Sequence, residues 1–173
     1  MKTILITERI VLREMEQRDF DDLYAMFNDP DVMRFYLGLK DRDETQAWLD
    51  WILDHYKRYG YGLFAAEHAE SGEFLGQIGI IHQDWDNRID LEVGYMLKRS
   101  AWGKGYATEA ARACRDLAFA RYRPDRVVSF ITPENVRSQA VAKRNKMRLI
   151  NRISHPRRDL QIDVWGVHSG DMR

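Results

Sequence analysis

The alternation of apolar and polar residues divides the chain into segments of two kinds. Residues 4–14 alternate apolar with charged side chains, as does a strand that buries one face. Two segments with apolar residues at helical spacing follow. The first begins after Asp19, a favoured N-cap residue, and ends at Asp29-Pro30, while the second covers residues 44–59. The pattern therefore predicts one strand and then two helices.

Three strand-like runs come next and are separated by turn-forming residues. The runs cover residues 61–68, 73–82 and 88–97. Ser71-Gly72 lies in the first gap and Asp84-Trp85-Asp86-Asn87 in the second. Because short gaps of this composition join neighbouring strands, we expect this region to form an antiparallel meander.

The last part of the chain alternates helices with strands. Small and apolar residues at helical spacing mark a long helix from Ala107 to Tyr122, which ends at Arg123-Pro124. A strand (127–131), a helix (135–145) and two strands (147–153 and 161–167) follow. We therefore expect a single α/β (α+β) domain over residues 1–173. Its mixed, mostly antiparallel, twisted sheet would have about seven strands, with about four flanking helices.

Composition limits the classes of function. A chain of 173 residues, 45% of them hydrophobic, suits one domain. Because 27 Lys and Arg balance 27 Asp and Glu, no overall field favours nucleic acid or a membrane as a partner. Cys114 is alone and lies on an apolar stripe, which indicates a core residue and excludes an internal disulfide. With no recognisable secretory leader, membrane span or zinc-type histidine spacing, we expect a cytoplasmic protein without a metal.

A turn with two glycines precedes the long helix. Gly103 and Gly105 lie between the strand 88–97 and that helix. Glycines let the backbone approach an anion and a helix N-terminus adds unpaired N–H donors, so the arrangement suits a phosphate. The same glycines also suit a plain turn, and the local pattern leaves both interpretations open. A Walker A loop and a dinucleotide fingerprint do not fit, because Lys98 and Thr108 stand where these motifs need glycine.

Together with its flanks, this turn resembles the GNAT superfamily of N-acetyltransferases, and within it the branch typified by ribosomal-protein Nα-acetyltransferases. The most specific match is Glu92-Val93-Gly94-Tyr95 followed by Trp102-Gly103-Lys104-Gly105-Tyr106-Ala107-Thr108-Glu109-Ala110. Weaker matches extend over nearly the whole chain: Thr7-Glu8-Arg9-Ile10-Val11-Leu12-Arg13, Asn28-Asp29-Pro30-Asp31-Val32-Met33, Glu134-Asn135 with Ser138, and Asp163-Val164-Trp165. The resemblance implies a GNAT fold and an N-acetyltransferase that uses acetyl-coenzyme A as co-substrate.

The resemblance also implies which residues hold the coenzyme. The pantetheine arm would pair with the backbone of Met96 and Leu97 and pass Asn135 and Ser138 on its other side. The pyrophosphate would lie on backbone amides of the glycine turn and the start of the helix: Trp102, Gly103, Lys104, Gly105, Tyr106, Ala107 and Thr108.

Two positions depart from the family pattern. Ser100 replaces an arginine or glutamine, which phosphate binding through the backbone tolerates. Lys146 stands where the last helix usually carries glycine, so Lys146 or Asn145 must form the helix end. The basic residues there suit the negative end of the helix dipole, with the coenzyme 3′-phosphate as a second interpretation. They are Lys143, Arg144, Lys146 and Arg148.

Glu92 and Ser138 are the candidate catalytic residues. Acetyl transfer to an amine needs a proton acceptor, a donor to the oxyanion and a proton source for the thiolate. Glu92 points away from the most apolar face of its predicted strand, and partial burial would raise its pKa; a structural ion pair is the competing interpretation. Gly94 indicates a bulge that frees an N–H for the oxyanion, or a packing residue. By family position Ser138 faces the sulfur, while Asn135 and Ser138 also fit a helix start.

The sequence leaves the acceptor amine open between a protein N-terminus and a small molecule. In similar proteins the first two helices shape the acceptor cleft, so we expect Phe35, Tyr36 and Trp85 to contact the acceptor. Arg157-Arg158 is either a solvated loop or a contact for an anionic acceptor. A non-catalytic sensor of acyl-coenzyme A is the alternative function, and a nucleic-acid-binding module is a weaker third. A homodimer is left open.

Overall fold

A computed structural model describes residues 2–85, 87–154 and 160–172. These residues form one eight-stranded sheet in the order β1-β2-β3-β4-β5-β6-β8-β7, antiparallel throughout except for the parallel β5–β6 pair. The strands are β1 (Thr3–Ile6), β2 (Ile10–Arg13), β3 (Leu63–His68), β4 (Phe74–Trp85), β5 (Arg88–Leu97), β6 (Arg126–Ile131), β7 (Arg148–Ser154) and β8 (Gln161–His168). The helices are α1 (Phe20–Phe27), α2 (Pro30–Met33), α3 (Arg42–Tyr59), α4 (Tyr106–Tyr122) and α5 (Val136–Arg144). The predicted mixed, mostly antiparallel sheet is confirmed, with one strand and one short helix more than expected.

The additional strand comes from residues 4–14, which form a hairpin and not the single strand that the alternation predicts. In its turn the Thr7 N–H donates to the Ile10 carbonyl at 2.8 Å, and the Ile10 N–H donates to the Thr7 hydroxyl at 3.1 Å. The turn contains none of the Asn-Gly or Gly-Gly pairs that mark most hairpins. The alternating pattern therefore runs through it without a break.

The start and end of α1 also differ from expectation. Asp19 precedes α1 as predicted, but its carboxylate does not cap the helix. It instead accepts two hydrogen bonds, at 2.6 and 2.7 Å, from the buried guanidinium of Arg13, which also binds Glu67 at 2.6 Å. After α1 the chain forms the short helix α2, because the Asp29 side chain caps it by accepting from the Asp31 N–H at 2.9 Å.

Helices cover both faces of the sheet. On one face Val93 of β5 packs in the same core as Cys114 of α4. On the other face Met96 of β5 packs with residues of α1 and α3, such as Leu49. Since successive side chains of a strand point to opposite faces, Glu92 also faces the α1 and α3 side. Among the described residues, no helix is long and apolar enough to cross a membrane.

The parallel β5–β6 pair is short, and the two strands then separate. Only Leu91 with Val127 and Glu92 with Val128 are paired. Beyond Glu92, β5 remains paired with β4 and shows no register shift there. The sheet therefore opens because β6 turns away from β5. Of the two interpretations of Gly94, the bulge is wrong, since Gly94 keeps its regular place in the β4–β5 ladder, and the packing residue remains.

The C-terminus of α5 ends on a left-handed residue that is not glycine. Lys146 has φ 62°. Its N–H donates to the Lys143 carbonyl at 3.0 Å, and the Met147 N–H donates to the Ala142 carbonyl at 3.0 Å, which is the hydrogen-bond pair of a Schellman motif. A side chain in this conformation is strained because its Cβ approaches a carbonyl oxygen. The departure at Lys146 thus keeps the helix end but lowers stability.

We predict that Lys146→Gly raises the free energy of unfolding by about 0.5–1 kcal/mol, because glycine adopts positive φ without this strain. Lys146→Ala is the matched control: it removes the same charge, keeps the Cβ and should change stability by less than about 0.5 kcal/mol. Urea denaturation measures both variants. A glycine variant no more stable than the alanine variant would contradict strain at this position.

Candidate active site

A cavity of about 410 Å³ lies where β5 and β6 separate. Its wall is formed by both strands beyond the point of separation, by α1 and α3, by the loop between α2 and α3, and by the first turn of α5. Of the residues that the sequence predicted for the site, the cavity is lined by Phe35, Tyr36, Glu92, Met96, Asn135 and Ser138. The fold therefore brings both candidate catalytic residues and two expected acceptor contacts into one space.

Glu92 lies buried in this cavity, at the point where the strands part. One carboxylate oxygen accepts from the Gln83 side-chain amide at 2.5 Å, and the other accepts from the Phe130 N–H at 3.3 Å. Burial raises the pKa of Glu92 above its ordinary value, and the two hydrogen bonds oppose this shift in part. No described basic side chain pairs with Glu92 within 4.0 Å, so a structural ion pair is not what holds it.

The backbone of β5 beyond Glu92 presents alternate residues to the opening. The Val93 carbonyl accepts from the Ser129 hydroxyl at 2.7 Å and so faces β6. The Met96 carbonyl faces β4, since a Cβ built on Gly76 of β4 would lie 2.2 Å from that oxygen. The expected backbone pairing of Met96 with pantetheine is therefore wrong, because its hydrogen-bonding groups are turned to β4. Its side chain lines the cavity instead.

Tyr95 and Leu97 have the opposite orientation, because backbone groups of successive strand residues point to opposite sides. Their N–H groups face the side from which β6 has separated. The Leu97 carbonyl already accepts from the Trp102 indole N–H at 2.8 Å. The open edge of β5 thus offers the backbone of Tyr95 and the N–H of Leu97 to an extended ligand.

The first turn of α5 forms the opposite wall. The Asn135 side chain accepts from the Ser138 N–H at 3.1 Å, so the predicted N-cap is confirmed. The Tyr95 hydroxyl donates to the Ser138 carbonyl at 2.8 Å. This hydrogen bond fixes the distance between β5 and α5 and places the Ser138 side chain at the cavity wall.

The glycine turn lies outside the cavity, at the N-terminus of α4. Gly103 and Gly105 both have left-handed conformations, with φ 75° and 84°. No described side chain caps α4, and the first N–H groups of a helix have no partner within it. Ser100 lies in a single 3₁₀ turn, Arg99–Ala101, that leads into the glycines. The unpaired donors at the start of α4 are therefore backbone N–H groups. Their presence does not depend on which side chain stands at position 100.

Arg9 supports this turn from behind, a contact that the sequence analysis missed. Its guanidinium donates to the Lys104 carbonyl at 2.9 Å and lies 4.9 Å from the centroid of the Tyr106 ring. The Glu109 carboxylate holds Arg9 in place: it accepts from the Arg9 backbone N–H at 2.9 Å and from the Arg9 Nε at 2.8 Å. The same carboxylate accepts from the Thr7 hydroxyl at 2.7 Å. Only the matches to the family pattern, Thr7-Glu8-Arg9 and the block that ends in Glu109-Ala110, pointed to these residues.

Phe35 and Tyr36 approach the cavity from the loop between α2 and α3. The Phe35 carbonyl accepts from the Thr132 hydroxyl of the segment after β6 at 3.5 Å. Tyr36 is 42% exposed as a residue, but burial of its hydroxyl, together with the charge of Glu92, raises its pKa to about 12. Tyr36 therefore stays a neutral hydrogen-bonding group near Glu92 at physiological pH.

One arginine links the start of α2, which precedes this loop, to the segment before the glycine turn. Arg99, just before the glycine turn, binds the carboxylates of Asp29 at 3.3 Å and Asp31 at 2.8 Å. Both aspartates belong to the start of α2. The start of α2 and the segment before the glycine turn are therefore joined by ion pairs.

Trp85 is not among the described residues that line the cavity. It belongs to β4 and not to the predicted turn, and its indole N–H donates to Asp90 at 2.8 Å. Its ring packs edge-on at 5.7 Å against Phe130, which does line the cavity. Trp85 therefore stands behind the wall, and the expected contact with the acceptor is not supported. Arg157-Arg158 lies outside the described residues.

Cys114 does not line the cavity. Cys114 is fully buried in α4, and burial raises its pKa to about 12, so its interpretation as a core residue is confirmed. In the described part of the chain, no group of three or more His, Cys, Asp and Glu side chains is placed to hold a metal ion.

Comparison with known proteins agrees with this architecture. The chain is 47% identical over 144 residues to YkkB of Bacillus subtilis (strain 168), covering 83% of this chain and 84% of that protein. The acetyltransferase structure from Agrobacterium tumefaciens str. C58 has 33% identity and a TM-score of 0.82, covering 95% and 94% of the two chains. The ribosomal L7/L12 alpha-N-protein acetyltransferase RimL in complex with coenzyme A has a TM-score of 0.82 at 17% identity, covering 98% and 99%, which concerns the fold alone.

A family model extends over most of the chain and includes the parts that build the site. Residues 9–148 match the model described as Acetyltransferase (GNAT) domain. This range contains Arg9, the separation of β5 from β6, the glycine turn and the first turn of α5. The chain therefore belongs to the GNAT acetyltransferase family.

Proposed function

We propose that this protein transfers the acetyl group of acetyl-coenzyme A directly to a primary amine, in a complex that holds both substrates. The position of Glu92 carries the proposal. Its buried carboxylate has no basic partner among the described residues and lies where the open edge of β5 begins. A proton acceptor thus stands beside the backbone that would hold the thioester.

The coenzyme would bind along the edge of β5 and across the glycine turn. The unpaired N–H groups at Gly103, Gly105 and the first turn of α4 suit the pyrophosphate. The N–H of Leu97 and the carbonyl of Tyr95 suit the amide groups of pantetheine, which would take the place of the missing strand partner. Asn135 and Ser138 would line the other side of the pantetheine arm.

The reaction itself needs little beyond these groups. The amine nitrogen attacks the thioester carbonyl carbon and gives its proton to Glu92. The Tyr95 N–H is the first open donor beyond the point of separation and stabilises the oxyanion. When the C–S bond breaks, the Ser138 hydroxyl at the cavity wall donates a hydrogen bond to the leaving thiolate, which takes its proton from solvent water. The proton that Glu92 has taken from the amine is then released to solvent water, which restores the carboxylate and balances the proton taken up by the thiolate.

We predict that Glu92→Gln lowers kcat by about 10²–10⁴-fold, the contribution typical of a general base. Free thiol release from acetyl-coenzyme A, measured with a panel of primary amines, gives kcat. Isothermal titration should show unchanged coenzyme affinity, because Glu92 lies apart from the glycine turn. Absence of acetyl-coenzyme A binding by the folded wild type would refute the proposal, whereas binding without turnover on any amine would favour a sensor of acyl-coenzyme A.

The Gln83 hydrogen bond leads to a pH prediction. This bond stabilises the Glu92 carboxylate and lowers its pKa, so Gln83→Met raises the pKa of Glu92 further. A larger share of the enzyme then carries the inactive, protonated carboxyl at a given pH, and the acidic limb of kcat/KM moves to higher pH. Gln17→Met, an exposed position outside the cavity, should leave the limb in place. With the same amine throughout, an unmoved limb in Gln83→Met argues against Glu92 as the base.

The support given by Arg9 leads to a binding prediction. Arg9→Met should weaken acetyl-coenzyme A binding by about tenfold, because it removes a charge-assisted hydrogen bond that positions the turn. Glu109→Gln should weaken binding in the same direction, since Glu109 holds Arg9 in place. Arg58→Met, an exposed change on α3, is the control and should bind normally. Weaker binding in Arg9→Met with normal binding in Glu109→Gln would mean that Arg9 acts through its charge and not by positioning the turn.

A further inference from the structure

Lys40 has a fixed position in the wall of the acceptor side. It lies in the loop between α2 and α3 and lines the cavity. Its N–H donates to the Phe27 carbonyl at 3.3 Å, and its carbonyl accepts from the Asn28 side-chain amide at 2.9 Å. The start of its side chain is therefore set by α1 and does not move freely with the loop.

Aromatic rings hold the ammonium group of Lys40 at this wall. Its Nζ lies 5.5 Å from the centroid of the Trp48 ring and 6.0 Å from that of Phe27, within cation–π range. The Trp48 ring is itself fixed, because its indole N–H donates to the buried side chain of Gln77 at 3.0 Å. No carboxylate among the described residues lies within 4.0 Å of Nζ. Lys40 thus presents a positive charge without an anionic partner.

The carboxylates near this loop are engaged elsewhere. Asp29 and Asp31 bind Arg99. Asp41, the neighbour of Lys40, accepts from the Glu44 N–H at 2.8 Å as the N-cap of α3. Of the described residues that line the cavity, Lys40 is the only cation and Glu92 the only carboxylate. The other described residues of the wall are uncharged, and most of them are aromatic or aliphatic.

The ladder of β4 and β5 gives the spacing of these charges. The Trp48 ring beneath Lys40 is anchored to Gln77, which pairs with Met96, four residues along β5 from Glu92. At about 3.3 Å per residue, these positions are about 13 Å apart along the strand. Both residues line the cavity, and this strand spacing gives an estimate on the order of 10 Å for the separation of their charges.

We propose that Lys40 selects acceptors in which an anionic group, a carboxylate, lies on the order of 10 Å from the reacting amine, with an apolar segment between them. This inference rests on the proposed amine acetyltransferase function and names its substrate class. The ammonium end is directed to Glu92 and the carboxylate end to Lys40, while the aromatic and aliphatic wall contacts the middle. A diamine or polyamine is disfavoured, because its second cation would face Lys40.

Matched acceptors of equal length test the inference. ω-Aminooctanoate, octylamine and octane diamine share the carbon-chain length and end, remote from the reacting amine, in a carboxylate, a methyl and a second ammonium group; kcat/KM of the diamine is counted per amine. The wild type should use ω-aminooctanoate with a kcat/KM about tenfold above octylamine, the effect of one charge-assisted hydrogen bond, and octane diamine least well. A short peptide with a glutamate near its free N-terminus, compared with the glutamine peptide, shows whether a protein N-terminus supplies the same chemistry.

Variants at position 40 assign the preference to Lys40. Lys40→Met should reduce the preference for ω-aminooctanoate over octylamine to within about twofold, and Lys40→Glu should reverse the order in favour of octane diamine. Lys40→Arg should retain the wild-type order. Lys57→Met, an exposed lysine in the last turn of α3, is the control and should behave as the wild type. Melting curves verify that each variant is folded.

The outcomes separate this inference from the proposed function. Turnover on all three amines without regard to charge would overturn the role of Lys40 and leave acetyl transfer standing. If no amine is acetylated, acetyl transfer fails, and binding of ω-aminooctanoate to the coenzyme-loaded protein, measured by isothermal titration, still tests Lys40. Binding that is lost in Lys40→Met would support the inference, whereas no binding, or equal binding in Lys40→Met, would overturn it.

Discussion

The separation of β6 from β5 just beyond Glu92 is the constraint on which the site depends. A strand inside a sheet normally satisfies its backbone groups on both sides, and β5 does so only on the β4 side after this point. The opening has fixed dimensions, because β6 stays paired with β8 along its other edge, the Ser129 hydroxyl of β6 donates to the Val93 carbonyl, and the Tyr95 hydroxyl donates to α5. An open backbone edge next to a cavity is costly without a ligand, and this cost is the physical basis for reading it as a binding site.

The same separation decides the electrostatics of Glu92. The carboxylate stands on the face of β5 that turns toward α1 and α3, where it is shielded from water and receives two hydrogen bonds from the described residues. Its raised pKa follows from this combination of burial and weak compensation. Across the cavity Lys40 is held by rings and not by an anion. The two charges lie at different positions along the sheet, so they can serve the two ends of one acceptor.

The glycine turn and the start of α2 are built from distant parts of the chain but are linked by ion pairs. Arg9 and Glu109 join the N-terminal hairpin to the start of α4, and Arg99 joins the glycine turn to α2. Ion pairs of this kind contribute little to stability when they are exposed. Their effect here is geometric, because each one fixes a loop that approaches a substrate.

The sequence by itself determined the class of fold, the limits of most helices and strands, and the place of the glycine turn, because these depend on local periodicity and local turn chemistry. It also indicated Glu92 and the N-cap at Asn135, since strand alternation and helix capping act over a few residues. Only the tertiary structure decided that β5 opens by divergence and not by a bulge, that the backbone of Tyr95 and not of Met96 faces the opening, and that Trp85 stands behind the wall. Arg9 and Lys40 likewise acquire their roles from residues that are distant in sequence. Contacts of this kind are set by how whole elements pack, and no local pattern of residues records them.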